Sequence, residues 1–161
     1  MKQLMILIAA CLLLSFSAAA QTKTKKENFT MTARGTFDVK VIPQGPDDKS
    51  AGPFGRMLLD KKFQGDLTGS SQGQMLAAMT AVKGSGAYVA LELVDGVLNG
   101  KKGTFMLQHS GTMQSDAFDM QIQVVPDSGT GELEGIEGKL KIIIEGEKHS
   151  YEFTYDLGKK R

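Results

Sequence analysis

The sequence predicts an all-β domain, a single antiparallel closed β-barrel of about eight strands. Three observations carry that prediction. From Phe29 to Leu157 the apolar residues recur with period two rather than 3.6. Clusters of Gly, Pro, Asn, Asp and Ser punctuate the chain about every 8–12 residues, as turns between short strands do. Several of the strands so defined are long, and closure removes the open edges that would otherwise template aggregation.

The first residues stand apart from this pattern. Met1-Lys2 is a short basic start, Leu4 to Phe16 an apolar run, and Ser17-Ala-Ala-Ala20 a small-residue end, which together read as a secretory signal peptide (1–20) cut after Ala20. The run is shorter than the roughly 20 residues a bilayer span requires, so no transmembrane segment is expected. Cys11, in Ile8-Ala-Ala-Cys11, resembles a lipoprotein cleavage site, but Leu12-Leu-Leu continues the apolar run past it. Residues 21–27 are polar and expected to be disordered, 28–157 form the barrel domain, and 158–161 are a basic C-terminal tail. With residues 1–20 removed no cysteine remains, so the domain is expected to hold by packing and backbone pairing alone, in a periplasmic or secreted setting.

The strands follow in order. Phe29, Met31, Ala33, Gly35, Phe37, Val39 and Val41 share a parity and make one long strand, or two joined at Gly35. Pro43-Gln-Gly-Pro46 ends it, and Asp47 to Gly55 is a polar loop. Met57 to Leu67 is next, with Leu59, Phe63 and Leu67 on one face, and Gly69-Ser-Ser-Gln-Gly73 reads as a turn. Gln72 to Val82 suits strand or helix; its position between glycines favours strand. Ala87 to Val94 puts Val89, Leu91 and Leu93 on one face and Tyr88, Ala90 and Glu92 on the other, with Asp95-Gly96 as a hairpin signal. Thr104 to Met113, Phe118 to Val125, Leu140 to Ile144 and His149 to Leu157 complete the set, joined by turns at Pro126 to Gly131 and at Glu145-Gly-Glu-Lys148. Leu98 to Phe105 and Leu133 to Leu140 both read L-x-G-x-x-G followed by x and a large apolar residue. Each is expected to be a hairpin corner whose glycines meet backbone geometry; no helix follows that would make it a phosphate loop.

Composition narrows function mainly by exclusion. A net charge of +1 and the lack of a basic block exclude a nucleic-acid partner. Asp127-Ser-Gly-Thr-Gly occurs once and in a predicted turn, whereas an aspartic protease needs two carboxylates in contact. No serine or cysteine has a nucleophile's neighbourhood.

Phe63-Gln-Gly-Asp-Leu-Thr-Gly69, Gly86 to Glu92, Phe105-Met-Leu-Gln-His109, Val125 to Gly131 and His149 to Phe153 together resemble a bacterial family catalogued as domain of unknown function 3224. The resemblance covers about residues 28–157. It implies a small β-barrel similar to those of allene oxide cyclase and the dirigent proteins, and it implies no activity.

The candidate site residues follow from parity. His149, Tyr151 and Tyr155 share a parity with Phe153 and Leu157, His109 with Phe105 and Leu107, and Glu92 with Tyr88. If these face the lumen, Tyr88, Glu92, His109, His149, Tyr151 and Tyr155 are polar anchors in an apolar pocket, the usual form of a small-molecule site. The leading reading is therefore binding of a small apolar molecule, or an oligomeric interaction module; Ile42, Val125 and Ile143 on the outward parity suit a homodimer or homotrimer. The second is an isomerase or cyclase with His109, His149 and Glu92 as catalytic groups, since histidine titrates near neutrality and burial raises a glutamate. A plainer alternative is that these groups hydrogen-bond one another inside a filled barrel. Two histidines and a carboxylate can make an open metal site, but these come from three separate strands with no ligand spacing, so no metal and no cofactor is expected. The methionines beyond the leader, Met31 to Met120, fall mostly on core parity and read as gap-filling side chains.

Overall fold

The computed structural model describes residues 29–45, 54–115 and 117–158. The expected leader, the polar stretch 21–27, most of the Asp47 to Gly55 loop and the last three basic residues lie outside them. Eight strands form one closed antiparallel barrel: β1 (Met31–Pro43), β2 (Phe54–Gly65), β3 (Leu67–Met79), β4 (Gly86–Leu98), β5 (Lys101–Gln114), β6 (Ala117–Val124), β7 (Ile136–Glu145) and β8 (Lys148–Leu157). Each strand pairs with its successor, and β1 closes on β8 through the register Met31↔Tyr155 to Thr36↔Ser150. Among the described residues no helix is long and apolar enough to cross a membrane.

The period-two pattern becomes a lumen because inward positions alternate with outward ones along every strand. Two turns differ from the sequence expectation. Gly69 to Gly73 is not a turn but the interior of β3. Its first glycine is required by close approach: a Cβ at Gly69 would sit 2.2 Å from the Asp95 carbonyl of β4. The chain reverses earlier, around Asp66, which accepts the Arg34 amide through Oδ2 at 2.8 Å. Asp95-Gly96 is likewise strand, and the reversal lies at Asn99-Gly100, where φ is 46° and 81°. Both central residues are left-handed, as a two-residue hairpin loop demands. The first L-x-G-x-x-G is therefore a hairpin corner. The second is not: Gly131–Leu133 is a 3-10 turn, and Gly135 leads directly into β7. Leu133 and Ile136, both fully buried, are carried by this connection to the end of the core.

The lumen has three levels. The lower half is packed solid by Leu67, Leu98, Phe105, Phe153 and Tyr155 with their neighbours. Phe105 and Phe153 stack at 5.6 Å, and Phe153 and Tyr155 at 5.1 Å. A polar level follows, and above it the barrel opens. The ladder is uneven: β5–β6 and β7–β8 pair along their lengths, whereas β6 and β7 share the single register pair Gln123↔Lys139. A groove runs along that seam, lined by Met120 and Ile122 on one side and Leu140 and Ile142 on the other. Outside, Ile42 and Ile143 point to solvent, and so do Val89 and Leu91 of β4 at 55% and 57% exposure.

Candidate functional site

The polar level is assembled from three consecutive ladders. Lys61 of β2 is in register with Ser71 of β3, Gly73 of β3 with Glu92 of β4, and Ala90 of β4 with His109 of β5. All four polar side chains point inward. Glu92 is 1% exposed, His109 3% and Lys61 5%. Lys61 Nζ donates to Glu92 Oε2 at 2.6 Å, and Ser71 Oγ donates to Oε1. His109 Nε2 lies 3.0 Å from the same Oε2, close enough to interact with the carboxylate, and has no hydrogen-bond partner elsewhere among the described residues. The Lys61 ammonium also sits over the rings of Phe37 and Phe63, 5.3 and 6.0 Å from their centroids. Gly73 leaves room for the carboxylate's strand, since a Cβ there would come within 3.1 Å of the Glu92 backbone and Cβ.

This arrangement fixes the charge on Glu92. Burial alone would raise its pKa, but the close His109 nitrogen and the Lys61 ammonium outweigh burial and hold the carboxyl at about 2. Tyr88 shifts the other way: burial and the Glu92 charge push its phenol up. The Tyr88 ring lies across Gly111, where a Cβ would come within 2.3 Å of it, so this glycine exists to seat an aromatic ring.

Above the polar level lies a cavity of about 770 Å³. Its walls are apolar, with Phe37, Leu59, Met75, Met113, Met120 and Ile142 among them. Among the described residues its ionisable lining groups are Lys61, Tyr88, His109 and His149. His149 stands at one wall, 5.3 Å from the Phe37 ring.

The family model described as Protein of unknown function (DUF3224) matches residues 33–155, from the first fully buried residue of β1 to the last tyrosine of β8. The chain belongs to the DUF3224 family. A crystal structure of a DUF3224 protein of unknown function from Shewanella oneidensis MR-1 is 46% identical, covers 80% of this chain and 98% of that chain, and superposes with a TM-score of 0.75. No curated protein matches the sequence.

In this DUF3224 barrel the six expected anchors separate into three groups. Tyr88, His109 and His149 line the cavity. Glu92 lies behind the lining, engaged by Lys61 and Ser71. Tyr151 and Tyr155 belong to the packed half instead. The Tyr151 hydroxyl accepts the Leu67 amide at 2.9 Å, and Tyr155 accepts from Asn99 Nδ2 at 2.8 Å. Burial, opposed by the Leu67 bond and helped by Asp66, raises the Tyr151 phenol. Both phenols tie the barrel's lower turns to its core. Lys61 and Ser71 were not anticipated. Lys61 shares the parity of Leu59 and Phe63, so a lysine on an apolar stripe was the available signal; Ser71 was hidden by reading its strand as a turn.

Proposed function

We propose that this DUF3224 barrel binds a small, mostly apolar molecule in the open half of its lumen. The cavity carries the reading: about 770 Å³ with apolar walls lies within the range of about 300–1,000 Å³ typical of ligand pockets. Methionines at Met57, Met75, Met79, Met113 and Met120 line it, and their flexible thioethers adapt to varied ligand shapes. The polar level supports binding over acid–base catalysis by His109, His149 and Glu92. A carboxylate held at about 2 is a weak base at neutral pH. The leader expected over residues 1–20 supports placing this activity in the periplasm or the exterior, which cell fractionation tests. Titration with Nile red, a neutral apolar dye, should give saturable one-to-one binding that Ala77→Phe, which fills the cavity wall, abolishes. Binding that does not saturate, or that survives this substitution, refutes the proposal.

A second reading rests on the outer face of β4. Val89 and Leu91 are exposed there beside Leu76 and Met106, with the uncharged Gln74 and Gln108 flanking Leu91 in register. A charge-poor apolar stripe of this kind suits association with a second copy of the chain. Sedimentation velocity should show a dimer that Leu91→Lys converts to monomer; a wild-type monomer at high concentration refutes it.

A further inference from the structure

We infer that the cavity takes its ligand head-down: a carboxylate on Lys61 and His109 at the floor, and an apolar tail running toward the mouth. This rests on the reading above that the cavity binds apolar molecules, and adds the ligand's chemical class and direction.

The first ground is the sidedness of the chemistry. Among the described residues Lys61, His109, His149 and Tyr88 face the cavity, and no carboxylate does. The acidic member of the cluster, Glu92, is recessed behind Lys61 and His109, with Oε1 taken by Ser71 and Oε2 by Lys61. A molecule entering the lumen therefore meets nitrogen donors. An amine head would meet the Lys61 ammonium first, with the Glu92 charge that could offset it lying behind.

The second ground is unused hydrogen-bonding capacity. An ammonium carries three donors, and the hydrogen bond Lys61 makes is the one to Glu92. His109 Nε2 is buried and has no hydrogen-bond partner among the described residues besides Glu92 Oε2, 3.0 Å away, an oxygen that already accepts from Lys61. Buried polar atoms in folded proteins are nearly always satisfied, and one left over calls for an explanation such as a missing ligand group. A carboxylate has two oxygens and can serve Lys61 and His109 together. A hydroxyl has one oxygen, and an ester carbonyl lacks the charge that makes such bonds shorter and roughly twice as strong.

The third ground is the gradient along the lumen. From the polar floor upward the walls become mostly apolar, with Met75, Ala77, Met113, Phe118 and Ile144; Tyr88, in register with Ala77, and His149, in register with Ile144, are the polar exceptions. Below the floor the core is closed by packed aromatics. A molecule with one polar end is therefore held with that end at the floor.

Isothermal titration with laurate, methyl laurate and dodecanol, all below their aggregation concentrations, tests the inference. Wild-type protein should bind laurate at least tenfold tighter than either neutral analogue. Lys61→Met/Glu92→Gln removes both charges together, leaves neither uncompensated, and should bind all three alike. If that variant does not fold, carboxyl-labelled laurate on the wild type decides, because contact with Lys61 shifts the carbon-13 resonance away from that of free laurate and an end exposed at the mouth leaves it unshifted. Equal wild-type affinity for acid, ester and alcohol overturns the head-down carboxylate while leaving the apolar-binding reading intact. Failure of all three to bind overturns both.

Discussion

Replacing Glu92 by glutamine should flatten the acid limb of the protein's stability profile. In the folded barrel the Glu92 carboxyl titrates at about 2 instead of the ordinary 4.5. At about 1.4 kcal/mol per unit, that difference corresponds to about 3 kcal/mol. The folded value is the lower one, so this stabilisation is complete above about pH 4.5, shrinks as pH falls, and is gone below about pH 2. An independent route gives a similar size: removing one partner of a buried ion pair strands the other and costs about 3–5 kcal/mol. Urea unfolding followed by far-ultraviolet circular dichroism measures this directly, and is preferred because the chain has no tryptophan. At pH 7, Glu92→Gln should be less stable than wild type by about 3 kcal/mol, and the two curves should converge toward pH 2. Lys61→Met/Glu92→Gln should regain most of that loss, since an apolar replacement of the whole pair is often neutral or stabilising. A wild-type minus variant difference that stays constant across this pH window would refute the account of Glu92 as a buried carboxylate held ionised by Lys61 and His109.

Other substitutions test the packed half and the cavity separately. Tyr151→Phe leaves the buried Leu67 amide without its 2.9 Å partner and should cost about 1–3 kcal/mol in urea unfolding, with Nile red binding unchanged. Gly35→Ala places a Cβ 1.9 Å from the Gln64 carbonyl and 2.6 Å from the Tyr151 hydroxyl; a loss of about 1–3 kcal/mol or more, or failure to fold, is expected by the same measurement. Ala77→Phe should reverse that pattern, abolishing dye binding while changing stability by less than about 1.5 kcal/mol, because it fills existing space.

Much of the barrel was legible because period-two patterning survives wherever one face is buried. The Phe118 to Val125, Leu140 to Ile144 and His149 to Leu157 stretches are examples, and so is the hairpin at Gly146, where Glu145 pairs with Lys148. The misread turns have one physical cause. Gly69, Gly73 and Gly96 resemble loop glycines in sequence, yet they sit inside strands where neighbouring backbones pass too close for a side chain. On β4 hydropathy and orientation part company, and the inward parity expected for Tyr88 and Glu92 is the one observed. Val89, Leu91 and Leu93 suggest a core face by hydropathy, but they point outward and the parity of Tyr88, Ala90 and Glu92 points in. Hydropathy alone cannot decide orientation when both parities of a strand carry apolar residues. The site was half legible for a related reason. His109, His149 and Tyr88 could be placed by parity, but the division between a filled and an open half depends on which strands bring aromatics to the same height. No single strand records that.

The single register pair between β6 and β7 gives the seam a meaning beyond topology. Along most of this line two strands stand side by side without exchanging amide hydrogen bonds, so the wall is weakest where Phe118, Met120, Ile142 and Ile144 border both the outer groove and the inner cavity. Spreading the strands there breaks few bonds, whereas every other neighbouring pair shares a much longer ladder, the shortest being the Met31–Thr36 stretch that closes β1 on β8. The barrel is therefore a rolled sheet with one sparsely paired seam down one side. Backbone amides along that seam should exchange with deuterium well before those of β3 and β4.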